Sequence, residues 1–278
     1  MSLPRLSYAE YAALDGVNWS SLRELRRSPA RYAWRLTHPP IETDAMRLGR
    51  ATHTAVLEPE RFLGEYVLWT KGRRAGKEWD AFEADAAARD VTILKADQYE
   101  MCLAMAAAVR GNPVAAPYLA EGEAERAIVW TDDKTGLVCK GRLDWLPPPA
   151  VIDLKTTRSI DARLFAADMA RFGYACQMGH YCAGLKALTG RDWPAVLIAV
   201  EKDPPFEVAV FRLADEALYA GAAEVAELLA TLKTCRAAGS FPPRYEAEQV
   251  LDLPRWAYPS DDENLATFAA AAAGLMEG

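Results

Sequence analysis

The sequence predicts an α/β fold, a mixed central β-sheet flanked by helices with an N-terminal helical lobe. Three observations lead there. The stretch "ERAIVW", the turn-rich "TDDKTG" and then "LVCKGRLDWL" read as a hairpin, with "AVIDLKT" following as a short strand. Two helical segments then separate this group from two more strand-like runs, "PAVLIAVEK" and "FEVAVFRL". The first third, by contrast, is dominated by helical spacing.

Taken in order, "WSSLRELRRSPARYAWRL" opens a helix with Ser20 or Ser21 as candidate N-cap, and Ser28-Pro29 restarts one with proline at its first position. "TDAMRLGRATHTAVLEPE" sets Gly49, His53 and Leu57 on one helical face. "GEYVLWT" suggests a strand, and "KGRRAGKEW" a basic, glycine-containing loop. "EWDAFEADAAA" and "DQYEMCLAMAAAVR" read as helices around a short "VTIL" segment. After the hairpin, "PPP" breaks the strand pattern before "AVIDLKT". "DARLFAADMARF", "YACQMGHYCAGLKAL" and the long "DEALYAGAAEVAELLATLKTCRAA" are helices. The expected organisation is one domain over residues 1–278. It comprises a mostly helical lobe to residue 120, a core over 121–240, and a Pro-rich, acidic tail over 241–278 that wraps the surface.

Composition bounds the function. The 278 residues are 51% hydrophobic and 26% charged, ordinary globular usage, with a formal net charge of −7. That argues against coating nucleic acid by bulk charge and leaves room for a local basic groove. The five cysteines include no CxxC pair, so they read as reduced small hydrophobes of a cytoplasmic protein, with no disulfide framework or zinc site. The first residues lack a basic segment followed by an apolar core, so no signal peptide is expected. No apolar run approaches the ~18 residues of a membrane span.

The informative anomaly is "GRLDWLPPPAVIDLKTT", two apolar strands carrying Asp144, Asp153 and Lys155. Buried charges are rare unless paired or metal-bound. Strand alternation puts Asp153 and Lys155 on one face with Val151, and Asp144 with Arg142 and Lys140, while Leu143 and Trp145 take the opposite side. Two carboxylates converging from neighbouring strands repel, and a cation resolves the repulsion. Oxygen ligands without a nearby cysteine suit Mg²⁺, with Mn²⁺ able to substitute. A lysine two residues on can then orient a water and offset developing charge, as attack on a phosphodiester requires. The same triplet is also consistent with a solvated ion pair on an edge strand.

The pattern Asp144, then Asp153-Leu154-Lys155, resembles the PD-(D/E)XK nuclease superfamily, and the likeness extends along the chain. "SSLRELRRSPARYAWR" is similar to the N-terminal helix motif of its RecB-like branch, and "LGRATHTAVLEPERF" to the segment carrying that branch's metal-binding histidine, here His53. "VIDLKTT" matches the core, and "QMGHY" the Q-x-x-x-Y motif at Gln177 and Tyr181. "GRRAGKEWDAF" and "LPRWA" resemble the exodeoxyribonuclease VIII (RecE-type) nuclease domain.

The resemblance implies a restriction-endonuclease-like core and a metal held by His53, Asp144, Asp153 and the Leu154 carbonyl. Lys155 would position the water, and Gln177 and Tyr181 would contact the scissile phosphate or the lysine. It further implies a Mg²⁺-dependent exonuclease on double-stranded DNA ends, degrading the 5′-ended strand. The 3′ overhang would pass to a single-strand annealing protein, and the enzyme would be a homo-oligomeric ring. Ser28 stands where some relatives have a cysteine and there is no C-terminal cysteine trio, so no iron–sulfur cluster is expected. Basic residues cluster on the first helices (Arg23, Arg26, Arg27, Arg31, Arg35) and in the loop (Lys71, Arg73, Arg74, Lys77), as candidates for the DNA path. Ser20, Ser21 and Arg27 are candidates for gripping a terminal phosphate. His38 and His180 lack motif support and read as structural or solvent-facing. An endonuclease, a single-strand nuclease and a catalytically silent DNA-binding module are the alternatives.

Overall fold

The computed structural model describes residues 4–147 and 150–258; Pro148 and Pro149 of the triple proline, and the tail from Pro259, lie outside the described residues. The chain divides into two units, Met1–Pro242 and Pro243–Gly278. In the second, the described residues form irregular backbone and one 3₁₀ turn, Arg255–Ala257.

The first unit begins with α1 (Tyr8–Ala13), α2 (Trp19–Leu22), a 3₁₀ turn (Arg23–Arg26) and α3 (Pro29–Thr37). Ser28 caps α3 and Pro29 opens it, as the sequence predicts. The cap of α2 is Asn18, and not Ser20 or Ser21. Its side chain accepts from the Ser21 N–H, and both serines lie inside the first turn, past the position that can reach the orphan amides. Next come α4 (Asp44–Leu57), α5 (Pro59–Glu65) and β1 (Tyr66–Leu68). Pro59 cannot donate to the ladder of α4, so the long helical segment ends at Leu57 and restarts as α5, which takes residues expected in a strand. Then follow α6 (Lys77–Ala88), β2 (Thr92–Leu94), α7 (Ala96–Gly111) and α8 (Ala116–Ala120); β1 and β2 form a small parallel pair.

The main sheet comprises β3 (Glu123–Thr131), β4 (Val138–Leu146), β5 (Val151–Thr157), β6 (Ala195–Glu201) and β7 (Val208–Arg212), in that spatial order. Neighbours are antiparallel except β5 and β6, which are parallel and joined through α9 (Ala162–Phe172) and α10 (Tyr174–Thr189). The long α11 (Asp215–Ala238) follows β7. Strand alternation divides the core into two layers. Val151, Leu197 and Ala199 face a cluster with residues of α2, α9, α10 and α11, while Ile152, Leu154, Val196 and Ile198 face α4 and α7. The cysteines serve as small hydrophobes, with Cys102, Cys139, Cys176 and Cys235 buried and Cys182 half-buried.

One expectation about β4 fails. Leu143 packs in the first layer and Trp145 in the second, so they do not share a side. Across the hairpin, between the partners of these two residues, Glu125 adopts φ 56°.

α10 and α11 cross at glycines. A Cβ on Gly221 would meet the Ala175 carbonyl carbon and oxygen at 2.3 Å, and one on Gly179 the Ala222 nitrogen at 2.7 Å. Because the obstacles are backbone, they cannot rotate aside. Gly221→Ala is expected to cost about 2–3 kcal/mol by overpacking. Thermal unfolding should show a Tm lowered by roughly 4–10 °C. An unchanged Tm would mean the helices are free to separate.

Candidate active site

Pairing between β4 and β5 reduces to one register pair, Trp145 with Ile152. Beyond it the strands splay, and a side chain enters the gap. Asp144 Oδ2 accepts the Leu154 backbone N–H at 3.0 Å, satisfying a donor that the ladder would otherwise have used. Asp144 is thereby fixed beside the Asp153–Lys155 strand.

α4 supplies His53. Its Nδ1 lies 3.3 Å from Asp144 Oδ2, so residues far apart in sequence meet as the motif order implied. α10 supplies the opposite wall. Gln177 Nε2 donates to Asp153 Oδ1 at 2.8 Å and to the Tyr181 hydroxyl at 3.1 Å, and Gln177 Oε1 accepts from Lys155 Nζ at 3.0 Å. The i, i+4 spacing of Gln177 and Tyr181 delivers both to one face. Gly141 leaves room for this, since a Cβ there would lie 3.0 Å from the Tyr181 ring.

Asp153 is 0% exposed, and its Oδ2 lies 2.5 Å from Lys155 Nζ. Burial first, and then the Asp144 charge, push its carboxyl pKa up to about 6, against the opposing pull of Lys155. Burial works against the Lys155 ammonium, but Asp153 and Asp144 outweigh it and hold the pKa above the ordinary lysine value. Lys155 is therefore a cation at neutral pH, suited to donating and not to acting as a base. Burial raises the Tyr181 hydroxyl well above its usual range, which keeps it neutral.

Two participants escaped the sequence reading. Tyr174, at the start of α10, lays its ring under Lys155 Nζ at 4.6 Å. Glu125 lines a cavity of about 290 Å³ with Arg50, His53, Arg142 and Asp144. Its pKa is raised by burial first and by Asp144 second. An aromatic three residues before Gln177 was a usable signal for Tyr174. Nothing in the sequence pattern marks Glu125.

The basic candidates divide. Arg31 pairs with Glu24 at 3.1 Å and Arg35 lies 4.0 Å from Glu24, both within the helical lobe, while Arg26 pairs with Glu224 of α11 at 2.6 Å. Arg23 acts electrostatically on Tyr174, which ties this end of the lobe to the Lys155 side of the site. Ser20 and Arg27 are exposed, and Ser21 Oγ donates to the Asn18 carbonyl at 3.0 Å. Lys71, Arg73 and Arg74 lie exposed in the loop with Gly72 and Gly76 at positive φ, outside the Asp144–Asp153 cluster. Lys77 is not a loop residue, because it opens α6 directly after Gly76. Lys71 pairs with Glu78 at 3.5 Å, and Arg74 stacks over Trp79 at 5.1 Å. His180 is buried, its Nε2 against the Lys140 carbonyl at 3.1 Å, and burial lowers its pKa to about 4. His38 is exposed and stacks on Trp34.

The donors fit a hard divalent cation, since the cluster offers carboxylates, an imidazole and a backbone carbonyl, with no thiolate. The raised carboxyl of Asp153 beside Asp144 is what a cation would relieve. Among the described residues, no three His, Cys, Asp or Glu side chains already form a closed metal-binding group. No helix among them is long and apolar enough to cross a membrane.

Comparisons with known proteins bear on the fold and the family. A solved structure from Eubacterium rectale, described as a "Putative exonuclease", superposes with a TM-score of 0.63 at 14% identity, covering 90% of this chain and 96% of its own. A second, that of SSO0001, reaches only 0.33 at 16% identity, covering 81% and 77%, and carries no weight. No curated protein matches the chain. At 14% identity the first likeness speaks to fold alone. A family profile described as "PDDEXK-like domain of unknown function (DUF3799)" matches residues 18–253. Nucleases built on this core generally use divalent metals. The profile spans most of the chain, including the splayed strands, His53 and the Gln177 helix, so the chain belongs to this PDDEXK-like family and, with it, to the PD-(D/E)XK superfamily.

Proposed function

We propose that the protein is a divalent-metal-dependent DNA nuclease acting on the ends of linear duplexes. The observation that carries the reading is the single cluster formed by Asp144, Asp153, Lys155 and Gln177 where β4 and β5 diverge. A structural ion pair would need neither the second carboxylate nor a lysine kept charged beside both.

His53, Asp144, Asp153 and the Leu154 carbonyl are the groups that would hold the cation. Bound there, it supplies Lewis-acid stabilisation of charge developing on the phosphoryl oxygens. The chain's own residues do the rest. Lys155, fixed between Asp153, Gln177 and the Tyr174 ring, orients the attacking water and offsets negative charge in the transition state. Gln177 bridges Asp153 and Lys155 and holds their relative position. Arg23 near Tyr174, and the loop Lys71, Arg73 and Arg74, offer phosphate-neutralising charge on an otherwise acidic body.

The finer reading rests on the motif order shared with RecE-type exonucleases. It is a Mg²⁺-supported, 5′-to-3′ exonuclease working as a ring in the cytoplasm and leaving 3′ overhangs for an annealing partner. The decisive experiment compares linear with covalently closed circular duplex DNA in Mg²⁺, with either end labelled. Progressive loss of the 5′-labelled strand from linear DNA only is expected. Cleavage of closed circles would make the protein an endonuclease. Undiminished cleavage in excess chelator, or none in any divalent metal, would overturn the proposal.

A further inference from the structure

Glu125 has a backbone conformation that needs a reason. Its φ of 56° is one that a non-glycine residue keeps only where the surroundings impose it. Its position in the register is equally specific. Ala124 pairs with Trp145 and Arg126 with Leu143, which places Glu125 directly across from Asp144, although these two make no ladder pair of their own. Opposed residues of an antiparallel pair stand side by side, and like charges so placed are destabilising.

Each acid has a nitrogen partner, and for Glu125 that partner is a guanidinium cation. Arg142 Nε lies 2.5 Å from Glu125 Oε2, and His53 Nδ1 lies 3.3 Å from Asp144 Oδ2. All four side chains, with Arg50, line the same cavity. Asp153 is not on that wall; its carboxylate is fully covered and held by Lys155 and Gln177. The carboxylates that face the cavity are therefore Asp144 and Glu125, with side chains 15% and 18% exposed.

We propose that Glu125 is a further carboxylate of the metal site. Without metal it is latched to Arg142. With a divalent cation between the strands, it turns from the guanidinium to the cation beside Asp144 and His53, and Arg142 is released to meet an anionic phosphate oxygen of the DNA. This deepens the nuclease reading above and rests on it. Only ion pairs exchange. A hard cation prefers carboxylate oxygens and removes the repulsion between the two facing acids. The freed guanidinium has the planar donor fork that phosphate accepts best. A Glu125–Arg142 pair that served only the hairpin would be indifferent to metal.

The test is Mn²⁺ affinity, read from the spectrum of free Mn²⁺ by electron paramagnetic resonance on the full chain, without DNA or turnover. Glu125→Gln should weaken Mn²⁺ binding about ten- to a hundredfold, the range that perturbing a metal site's supporting groups produces. Asp144→Asn should weaken it at least as much. Arg142→Gln should tighten binding severalfold, and that gain should vanish when Glu125→Gln is added. If Glu125→Gln does not fold, the Glu125→Gln/Arg142→Gln pair, which removes both charges together, is compared with Arg142→Gln alone, and the same loss is expected. A Glu125→Gln affinity within twofold of the parent, while Asp144→Asn loses binding, overturns the role of Glu125 and leaves the nuclease reading intact. If the parent itself takes up no Mn²⁺, the metal-dependent reading falls and this proposal falls with it.

Discussion

Asp153→Asn is expected to bring DNA cleavage below detection at neutral pH while the protein stays folded, and to change how its stability responds to pH. The carboxylate is fully buried and sits between Lys155 Nζ at 2.5 Å and Gln177 Nε2 at 2.8 Å. Removing its charge removes a candidate metal ligand and unsettles both neighbours, so the loss should equal or exceed that of any other single change in the cluster. The stability effect has the opposite sign to that of an ordinary salt-bridged aspartate. Burial and Asp144 raise the folded-state pKa to about 6, above the ordinary 3.8 of an aspartate. The folded chain therefore binds this proton more tightly than the unfolded chain does. The contribution is fully present below about pH 4 and is lost as pH rises through about 6. Asparagine abolishes that titration. The variant should match or exceed the parent's stability at pH 7, with the difference shrinking as pH falls from 6 to 4. Urea unfolding at several pH values measures this directly. Parallel profiles for variant and parent would show that Asp153 is not the titrating group. Single-turnover cleavage within tenfold of the parent would remove Asp153 from the chemistry.

Lys155→Ala should slow the chemical step by about 10²–10³, the usual consequence of deleting one preorganised electrostatic group. DNA binding should survive, because His53, Asp144 and the basic surfaces remain. The geometry explains why the effect should fall on rate. The ammonium is fixed by Asp153, by Gln177 Oε1 at 3.0 Å and by the Tyr174 ring at 4.6 Å, so it reaches the transition state without reorganising. Lys155→Arg should rescue poorly, since the guanidinium is larger and does not act as a compact point donor. Single-turnover cleavage of a pre-bound duplex end separates binding from chemistry. A Lys155→Ala protein that binds normally and cuts within about threefold of the parent would take Lys155 out of the mechanism.

Much of this was legible in the sequence because the relevant codes are local. Period-2 alternation set Asp153 and Lys155 on one face of β5, and α10's i, i+4 spacing set Gln177 beside Tyr181. Ser28-Pro29 marked the start of α3, since a hydroxyl cap and a proline lacking its N–H suit only that place. The order of the motifs also indicated that His53 belongs with Asp144, and they do meet at 3.3 Å.

The remainder depended on contacts between distant segments. That Arg26 and Arg31 pair with Glu224 and Glu24 follows from how the helices pack, and a basic run in sequence cannot disclose its partners. The divergence of β4 from β5, which admits Asp144 to the Leu154 amide, is a property of the assembled sheet. The same holds for Glu125. Its left-handed backbone lies across from Asp144, between the partners of Leu143 and Trp145, which pack in different layers. The strand and helix periodicities, and the Asp-x-Lys and Gln-x-x-x-Tyr spacings they carry, could be read from the sequence because they are written in neighbours a few residues apart. Only the tertiary structure decided where the ladder opens and which acid stands opposite Asp144, because an unfavourable backbone angle persists only when packing from the rest of the fold imposes it.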